Sequence, residues 1–397
     1  MSEYVYLDNA ATTRCSQSVV EAMLPFMEEK FGNPSGSYKL SMECKKAVED
    51  SRKVIADIIG ASPEEIIFTS GGTEADNLAI KGAVLAGRGS QNHIITSSIE
   101  HHAVINTCRF LESEGFFVKY LDVDRNGVVD LYQLSKSISR ITRIVSIMYA
   151  NNEIGTVEPI DEIGRIVSHY NTLFHVDAVQ AFCQLPINVN KSGIDLMSMS
   201  SHKIHGPKGV GALYVRNGSG VESLFHGGEQ EFGLRAGTEN VAGIVGFAKA
   251  AKEATDNMEK SFVKESKLRN HMIRRILNEI PGCRLNGSMV DLGRVEYMSK
   301  ARRLPGNINF SFAGIREGSI PMMLDSVGIC ASSGSACTTF SQGPSHVLEA
   351  IGVDEKMAMA SVRFTIGCDN TLEEIDRVVD ELKQIILKMR VSFGAFE

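Results

Sequence analysis

Lys203 stands in SSHKIHGPKG, residues 200–209, straight after the apolar run DLMSMS and before a Gly/Pro turn. Most lysines are solvated surface charges, but an amine set behind a buried strand, with Ser200 and His202 beside it, has a second use. Burial and a bound cation lower its pKa, and a neutral amine condenses with a carbonyl. Asp177 lies near the end of another apolar run, TLFHVDA, residues 172–178. A carboxylate there is costly unless paired. It is either a helix cap or structural ion-pair partner, or the counter-charge to a cationic ligand nitrogen. Gln180 follows and comes close if the chain turns.

In EIIFTSGGTEADN, residues 65–77, a strand pattern ends in Ser-Gly-Gly-Thr and a helix pattern begins. Glycines let backbone N–H groups approach an anion, and a helix N-terminus adds favourable partial charge. Gly72 and Thr73 are therefore candidates for cradling a phosphate, although any tight strand-to-helix turn also favours glycine. His101 and His102, in SSIEHHAVINT (97–107), lie just beyond a further apolar run. A lone histidine there is more often structural than catalytic; two offer an imidazole face. A lysine amine, a strand-end carboxylate and an anion cradle are the parts needed to hold pyridoxal phosphate, an electron sink.

Cys337 raises a different question. Free cysteine is normally a small buried hydrophobe, yet ASSGSACTTFSQGPSH (331–346) has the composition of a solvent-facing loop. The other seven of the eight cysteines are scattered, with no C-x-x-C pair and no Cys/His quartet spaced for structural zinc. Cys44, Cys108 and Cys183 fall in helix-like or strand-adjacent stretches and read as packing, as does Cys330 after SVGI.

These residues need elements to position them. Apolar runs recur at 65–70, 93–98, 117–123, 143–150, 172–178, 195–200 and 211–216, with amphipathic helix patterns between several of them. Strands alternating with helices predict an α/β domain on a mostly parallel sheet, which binds ligands beyond the carboxyl ends of its strands. After about residue 240 one long helical stretch, broken once, leads into a smaller α+β unit. The expected division is 15–261 for the large domain and 1–14 with 262–397 for the small one.

The 397 residues carry a net charge of -7, with 43% hydrophobic and 22% charged residues, ordinary for a soluble globular protein. There is no basic footprint for nucleic acid. No apolar run approaches the ~20 residues of a membrane span, and the polar N-terminus lacks a signal-peptide core, so the cytoplasm is expected. The stretch DVDRNGVVDLYQ (122–133) begins like a calcium loop but ends in Gln133 where a bidentate Glu is required. A turn built on Asn-Gly is the better reading.

The chain resembles the pyridoxal-phosphate-dependent cysteine desulfurases of the iron–sulfur cluster and thio-cofactor assembly branch. The matching stretches are YLDNAATT (6–13), FGNPS (31–35), SGGTEADN (70–77), EHHAV (100–104), NNEIGT (151–156), HVDAVQ (175–180), SSHKIHGPKG (200–209), RAGTEN (235–240), SSGSAC (332–337) and SVRFTIG (361–367). The resemblance implies a fold-type-I, aspartate aminotransferase-like transferase. It implies that Lys203 carries the cofactor and shuttles protons, that His101 stacks on its ring, and that Asp177 pairs with the ring nitrogen. Gln180 would meet the ring hydroxyl; Gly72, Thr73, Ser200 and His202 would hold the phosphate. Thr238 would reach the phosphate of a neighbouring subunit in a homodimer. Asn152, also a cofactor contact, and Arg363 would receive L-cysteine. Cys337 would attack the substrate sulfur, releasing L-alanine and keeping a persulfide for an acceptor protein, a scaffold or a thiolation enzyme. No resident metal is implied; Cys337 is left open as a transient iron–sulfur ligand.

Three positions depart from the family pattern: Glu229 where a glycine is common, Phe232 where an arginine is, and Tyr38 where a histidine is. They bear on substrate preference or acceptor choice. A selenocysteine lyase, an aminotransferase on the same scaffold, and a non-catalytic assembly scaffold are the competing readings. The aminotransferase has no need of Cys337, and the scaffold has no need of an intact cofactor site.

Overall fold

The computed structural model describes residues 4–315, 319–333 and 343–394; Cys337 lies outside them. A short strand β1 (Val5–Tyr6) precedes seven strands that realise the seven apolar runs. These are β2 (Ile66–Thr69), β3 (His93–Ser97), β4 (Phe117–Leu121), β5 (Thr142–Met148), β6 (Leu173–Asp177), β7 (Leu196–Ser200) and β8 (Gly211–Val215). They form one sheet in the order β2-β8-β7-β6-β5-β3-β4, parallel throughout except for β8, which is antiparallel to both neighbours.

Successive side chains of a strand face opposite sides of a sheet, and here both sides are apolar. Phe68, Ile95, Val145, Val176, Met197 and Tyr214 enter one core; Ile67, Ile94, Ile144, Leu196 and Leu213 enter the other. Helices Lys39–Ile59, Ile160–Val167 and Val241–Asp256 cover the first side through Val48, Ile55, Ile163 and Phe247. Helices Gly72–Ala86 and His102–Ser113 cover the second through Leu78, Ala79, Val104 and Cys108. Burial on both faces explains why the strands read as continuous apolar runs without polar alternation.

The predicted long helical stretch breaks once, at Asn257 (φ -105°, ψ 3°), into Val241–Asp256 and Met258–Glu279. The chain then adds β9 (Cys283–Leu285), β10 (Asn307–Phe312), β11 (Ile329–Cys330) and β12 (Ser361–Thr365). β10 lies antiparallel between β9 and β12, while β1 pairs in parallel with β11. Val5 and Leu7 pack here with Met272, Phe310, Phe364 and Leu382, so the N-terminal strand joins the C-terminal core.

Cys44, Cys108 and Cys183 are buried. At the calcium-like stretch, Asp124 Oδ1 accepts from the amides of Asn126 (2.8 Å) and Val128 (2.9 Å), and Gly127 adopts φ 80°. The carboxylate thus closes a turn, and Gln133 Nε2 donates to Asp122 at 2.7 Å. No described helix is long and apolar enough to cross a membrane.

Candidate active site

The carboxyl ends of β3, β5, β6 and β7, together with the turn after β2, converge on a cavity of about 270 Å³. Gly72, Thr73, His101, Asn152, Asp177, Gln180, Ser200, His202, Lys203 and Arg363 all line it. The geometry of a parallel sheet brings these sequence-distant residues together. Thr238 is exposed and does not line it, and Cys337 falls outside the described residues.

Lys203 sits in the short 3-10 turn Ser201–Lys203 that follows β7. Its Nζ donates to the carbonyls of Ala10 (2.6 Å) and Ala11 (2.7 Å). Gln180 Nε2 donates to the same Ala10 carbonyl at 3.0 Å. Thr13 fastens this N-terminal segment to the lysine turn, its amide and hydroxyl both donating to the His202 carbonyl at 2.9 Å. DNAATT therefore serves as a clasp of carbonyl acceptors. Composition offers no hint of this, because the groups doing it are backbone.

Asp177 closes β6, with its carboxylate accepting from the Val179 amide at 2.9 Å. Burial pushes it up to about 6, against the opposing pull of that amide and of Lys203. Asp76, on the helix Gly72–Ala86, is buried beside it and held well above the usual carboxylate range by burial and by Asp177. Its Oδ1 has no hydrogen-bond partner among the described residues. Behind them His175 bridges Ser146 (2.8 Å) and Ser198 (3.0 Å), and burial pushes it down to about 3. Glu100, capped by the Ser97 hydroxyl at 2.6 Å and the Met148 amide at 3.0 Å, is raised to about 8 by burial. None of Asp76, Glu100 and His175 was singled out from sequence. The available signal was the occurrence of ionisable residues within or against apolar runs, which requires pairing or neutralisation.

His101 caps the helix His102–Ser113: its Nδ1 accepts from the Ala103 amide at 3.1 Å, which leaves the ring proton on Nε2. Burial, with Lys203, His102 and His346 adding to it, pushes this imidazole down to about 4. It is therefore neutral at physiological pH. His346, a lining residue the sequence reading passed over, stacks edge-on against His102 at 4.9 Å between ring centres.

The residues fit pyridoxal phosphate on three observations. Gly71 sits at φ 153°, ψ -177°, a conformation open essentially to glycine alone, and begins a helix whose first amides lack intrahelical acceptors. A Cβ on Gly72 would lie 2.6 Å from Val179, so only glycine allows this close approach. Ser200 Oγ is buried without a partner among the described residues, and His202 is steadied by a Nδ1 contact to Thr12 at 3.1 Å. A phosphate matches the amides, hydroxyl and imidazole; a ring cation matches the two buried carboxyls.

On the opposite wall Arg363, 2% exposed, reaches Asp8 at 2.8 Å through Nη2 and the Asn152 carbonyl at 3.2 Å through Nη1. Of the three departures, none lines the cavity. Tyr38 precedes the helix Lys39–Ile59 and is 58% exposed, and Glu229 is exposed. Phe232, at φ 57°, lays its half-exposed ring over the Arg52 guanidinium at 5.0 Å, and the Phe68 ring lies 4.9 Å from the same group. Arg52 in turn forks onto Glu231 at 2.8 and 2.9 Å, both side chains being 3% exposed. Glu231 also accepts from the Phe68 amide at 2.7 Å. Glu231→Ala should leave that buried guanidinium with only half-exposed Glu49 at 3.3 Å and the Ile66 carbonyl and cost about 3 kcal/mol, read as a lowered midpoint in urea denaturation.

Residues 5–378 match the family model described as aminotransferase class-V. A cysteine desulfurase IscS of Dictyoglomus turgidum is 49% identical over 390 residues, covering 98% of this chain and 96% of that protein. Another from Methanosarcina thermophila is 49% identical, covering 97% and 93%. Among solved structures, a NifS-like protein superposes with a TM-score of 0.88 at 38% identity, covering 97% of this chain and all of that one. One described as SspA in complex with cysteine gives 0.79 at 38% identity, covering 91% and 98%.

Proposed function

The chain belongs to the aminotransferase class-V family, and from that premise we propose that it is a pyridoxal-phosphate-dependent cysteine desulfurase. It converts L-cysteine to L-alanine and keeps the sulfur as a persulfide on Cys337. The observation that carries this reading is a single cavity holding an amine (Lys203), buried carboxyls (Asp177, Asp76), an anion cradle and a facing guanidinium (Arg363).

Bound pyridoxal phosphate supplies an electron sink for the pair left behind when the substrate Cα proton departs. Gly72, Thr73, Ser200 and His202 would hold the phosphate. Asp177 would set a negative charge against the ring nitrogen, Gln180 and Asn152 would contact the ring, and His101 would cover its face. Arg363 clamps the substrate carboxylate, with Asn152 beside it. Lys203 takes the Cα proton and later returns it, its Nζ steadied between uses by the Ala10 and Ala11 carbonyls. The Cys337 thiolate attacks the substrate sulfur: an S–S bond forms, the C–S bond breaks, and its electron pair stays with the carbon, which is protonated to alanine. The seven described cysteines all lie outside the cavity, which supports assigning the nucleophile to Cys337.

The finer assignments belong to the same reading. Residues 15–261 form the cofactor-binding domain, and 1–14 with 262–397 form the second; the separate cores support this. Two chains form a homodimer, with Thr238 serving the neighbouring site. Exposed Met27, Phe31, Tyr38 and Met42 support an apolar contact surface. The enzyme works in the cytoplasm and hands its sulfur to a protein of iron–sulfur assembly or of thiolation.

The test is product stoichiometry. Holoenzyme given L-cysteine and a reducing thiol should release alanine and sulfide in equal amounts. 3-Mercaptopyruvate, with the amino group passed to an oxo acid, in place of alanine would overturn the reading in favour of an aminotransferase.

A further inference from the structure

Asp8 occupies a position that the reaction as derived above does not use. One carboxylate oxygen, Oδ1, holds Arg363 Nη2 at 2.8 Å, and the other, Oδ2, accepts from the Ser332 hydroxyl at 2.7 Å. Ser332 and Arg363 are also joined through their backbones, each amide donating to the other's carbonyl, at 3.2 and 2.7 Å. One anion thus ties the guanidinium on the cavity wall to the strand end from which the chain continues toward Cys337.

The remaining edge of Arg363 is incomplete. Its Nε is buried and has no hydrogen-bond partner among the described residues. A carboxylate gains most from arginine by taking two parallel N–H groups, and the Nε/Nη2 edge is the one that pairs the unused donor with a second. Asp8 already holds Nη2. A ligand carboxylate taking this edge must displace Asp8 Oδ1 or share the donor with it, and two carboxylates on one guanidinium repel. Asp8 is not needed to bind the cofactor, since it does not line the cavity.

Resting on the desulfurase reading, we propose that Asp8 is a positioning residue that competes with the amino-acid carboxylate for Arg363. In doing so it transmits carboxylate binding to Ser332. With the site empty, Asp8 bridges both groups. When a carboxylate claims the Nε/Nη2 edge, Asp8 keeps only its Ser332 contact, and the strand end leading to Cys337 responds. When alanine is to leave, Asp8 retakes Nη2 and speeds its release. The Ser345 hydroxyl, on the far side of Cys337 in sequence, donates to buried Glu153 at 2.5 Å.

The experiment uses holoenzyme and two probes that differ by one carboxylate: L-alanine and ethylamine. Their dissociation constants are read from the cofactor absorption. Asp8→Asn keeps the shape and removes the charge. It should bind alanine about tenfold more tightly, because a unit charge within a few ångströms of a buried guanidinium is weakly screened. Ethylamine affinity should be unchanged, and kcat for L-cysteine should fall with KM. Ser332→Ala should lower kcat while leaving alanine affinity within twofold. Unchanged or weaker alanine binding in a folded Asp8→Asn protein, judged by its thermal melt, overturns the proposal. So does equal tightening of ethylamine. Wild-type enzyme that neither binds alanine nor releases sulfide would instead remove the desulfurase reading itself, and the proposal with it.

Discussion

Lys203→Ala is expected to abolish turnover of L-cysteine, by at least about 10³-fold. Proton transfer by a positioned side chain contributes typically 10²–10⁴-fold, and here the same side chain also carries the cofactor. The geometry makes substitution by a neighbour ineffective. His101 is a basic group lining the same cavity, but its Nδ1 is committed to the Ala103 amide and its imidazole is pushed down to about 4. It is therefore a far weaker base than an amine. Asp177 and Asp76 lie on the ring-nitrogen side of the site in this reading, away from the proton in question. The check is alanine formation at saturating pyridoxal phosphate. It is paired with borohydride reduction and peptide mapping, in which hydride fixes the cofactor to wild-type chain at Lys203 and to the variant nowhere. Partial rescue by a small primary amine would separate loss of the amine from loss of structure. Retained turnover would place the reaction on another residue.

Cys337→Ser should have an effect as large on sulfur chemistry and almost none on cofactor binding. The attacking species is a thiolate, and a serine hydroxyl at neutral pH neither ionises comparably nor retains the substrate sulfur as a persulfide. No other cysteine is placed to substitute. Cys15, Cys108, Cys183, Cys283, Cys330 and Cys368 have thiols pushed up chiefly by burial, and none of them lines the cavity. Sulfide and alanine release should fall together by at least about 10³-fold, comparable to the loss of an activated nucleophile. The absorption change on adding L-cysteine should persist. Selenocysteine is the second substrate to offer: turnover of it that survives the substitution, with cysteine turnover lost, marks a lyase activity that needs no protein thiol. Cysteine turnover that survives would mean that Cys337 is not the nucleophile.

Much of this was legible in the sequence because a parallel sheet converts linear order into place. An apolar run long enough for a strand, followed at once by polar residues, predicts a side chain at the carboxyl edge. Asp177 and Lys203 are where that rule puts them. Gly72 was legible for a similar reason, since a glycine between strand and helix patterns marks a close backbone approach. The Asn-Gly turn at 126–127 was legible from local chemistry alone, and a single break in the long helical stretch was expected, though only the structure places it at Asn257.

What the tertiary structure decided are the contacts that no spacing encodes. The Ala10 and Ala11 carbonyls hold Lys203 across the molecule, and backbone acceptors leave no mark in residue type. Asp76, Glu100 and His175 look like ordinary polar residues in sequence. Packing buries them around one point, where desolvation keeps them from charging as they would in water. Phe232 reads as an apolar ring in place of a cation, and in the fold that half-exposed ring lies over the buried Arg52 guanidinium. Asp8 sits at the opposite end of the chain from Arg363, and their pairing exists because β1 closes the C-terminal core. Local pattern determined which elements form and which groups stand at their ends. Only the packing of those elements decided which charges are desolvated together, and so which of them bind, steady or compete.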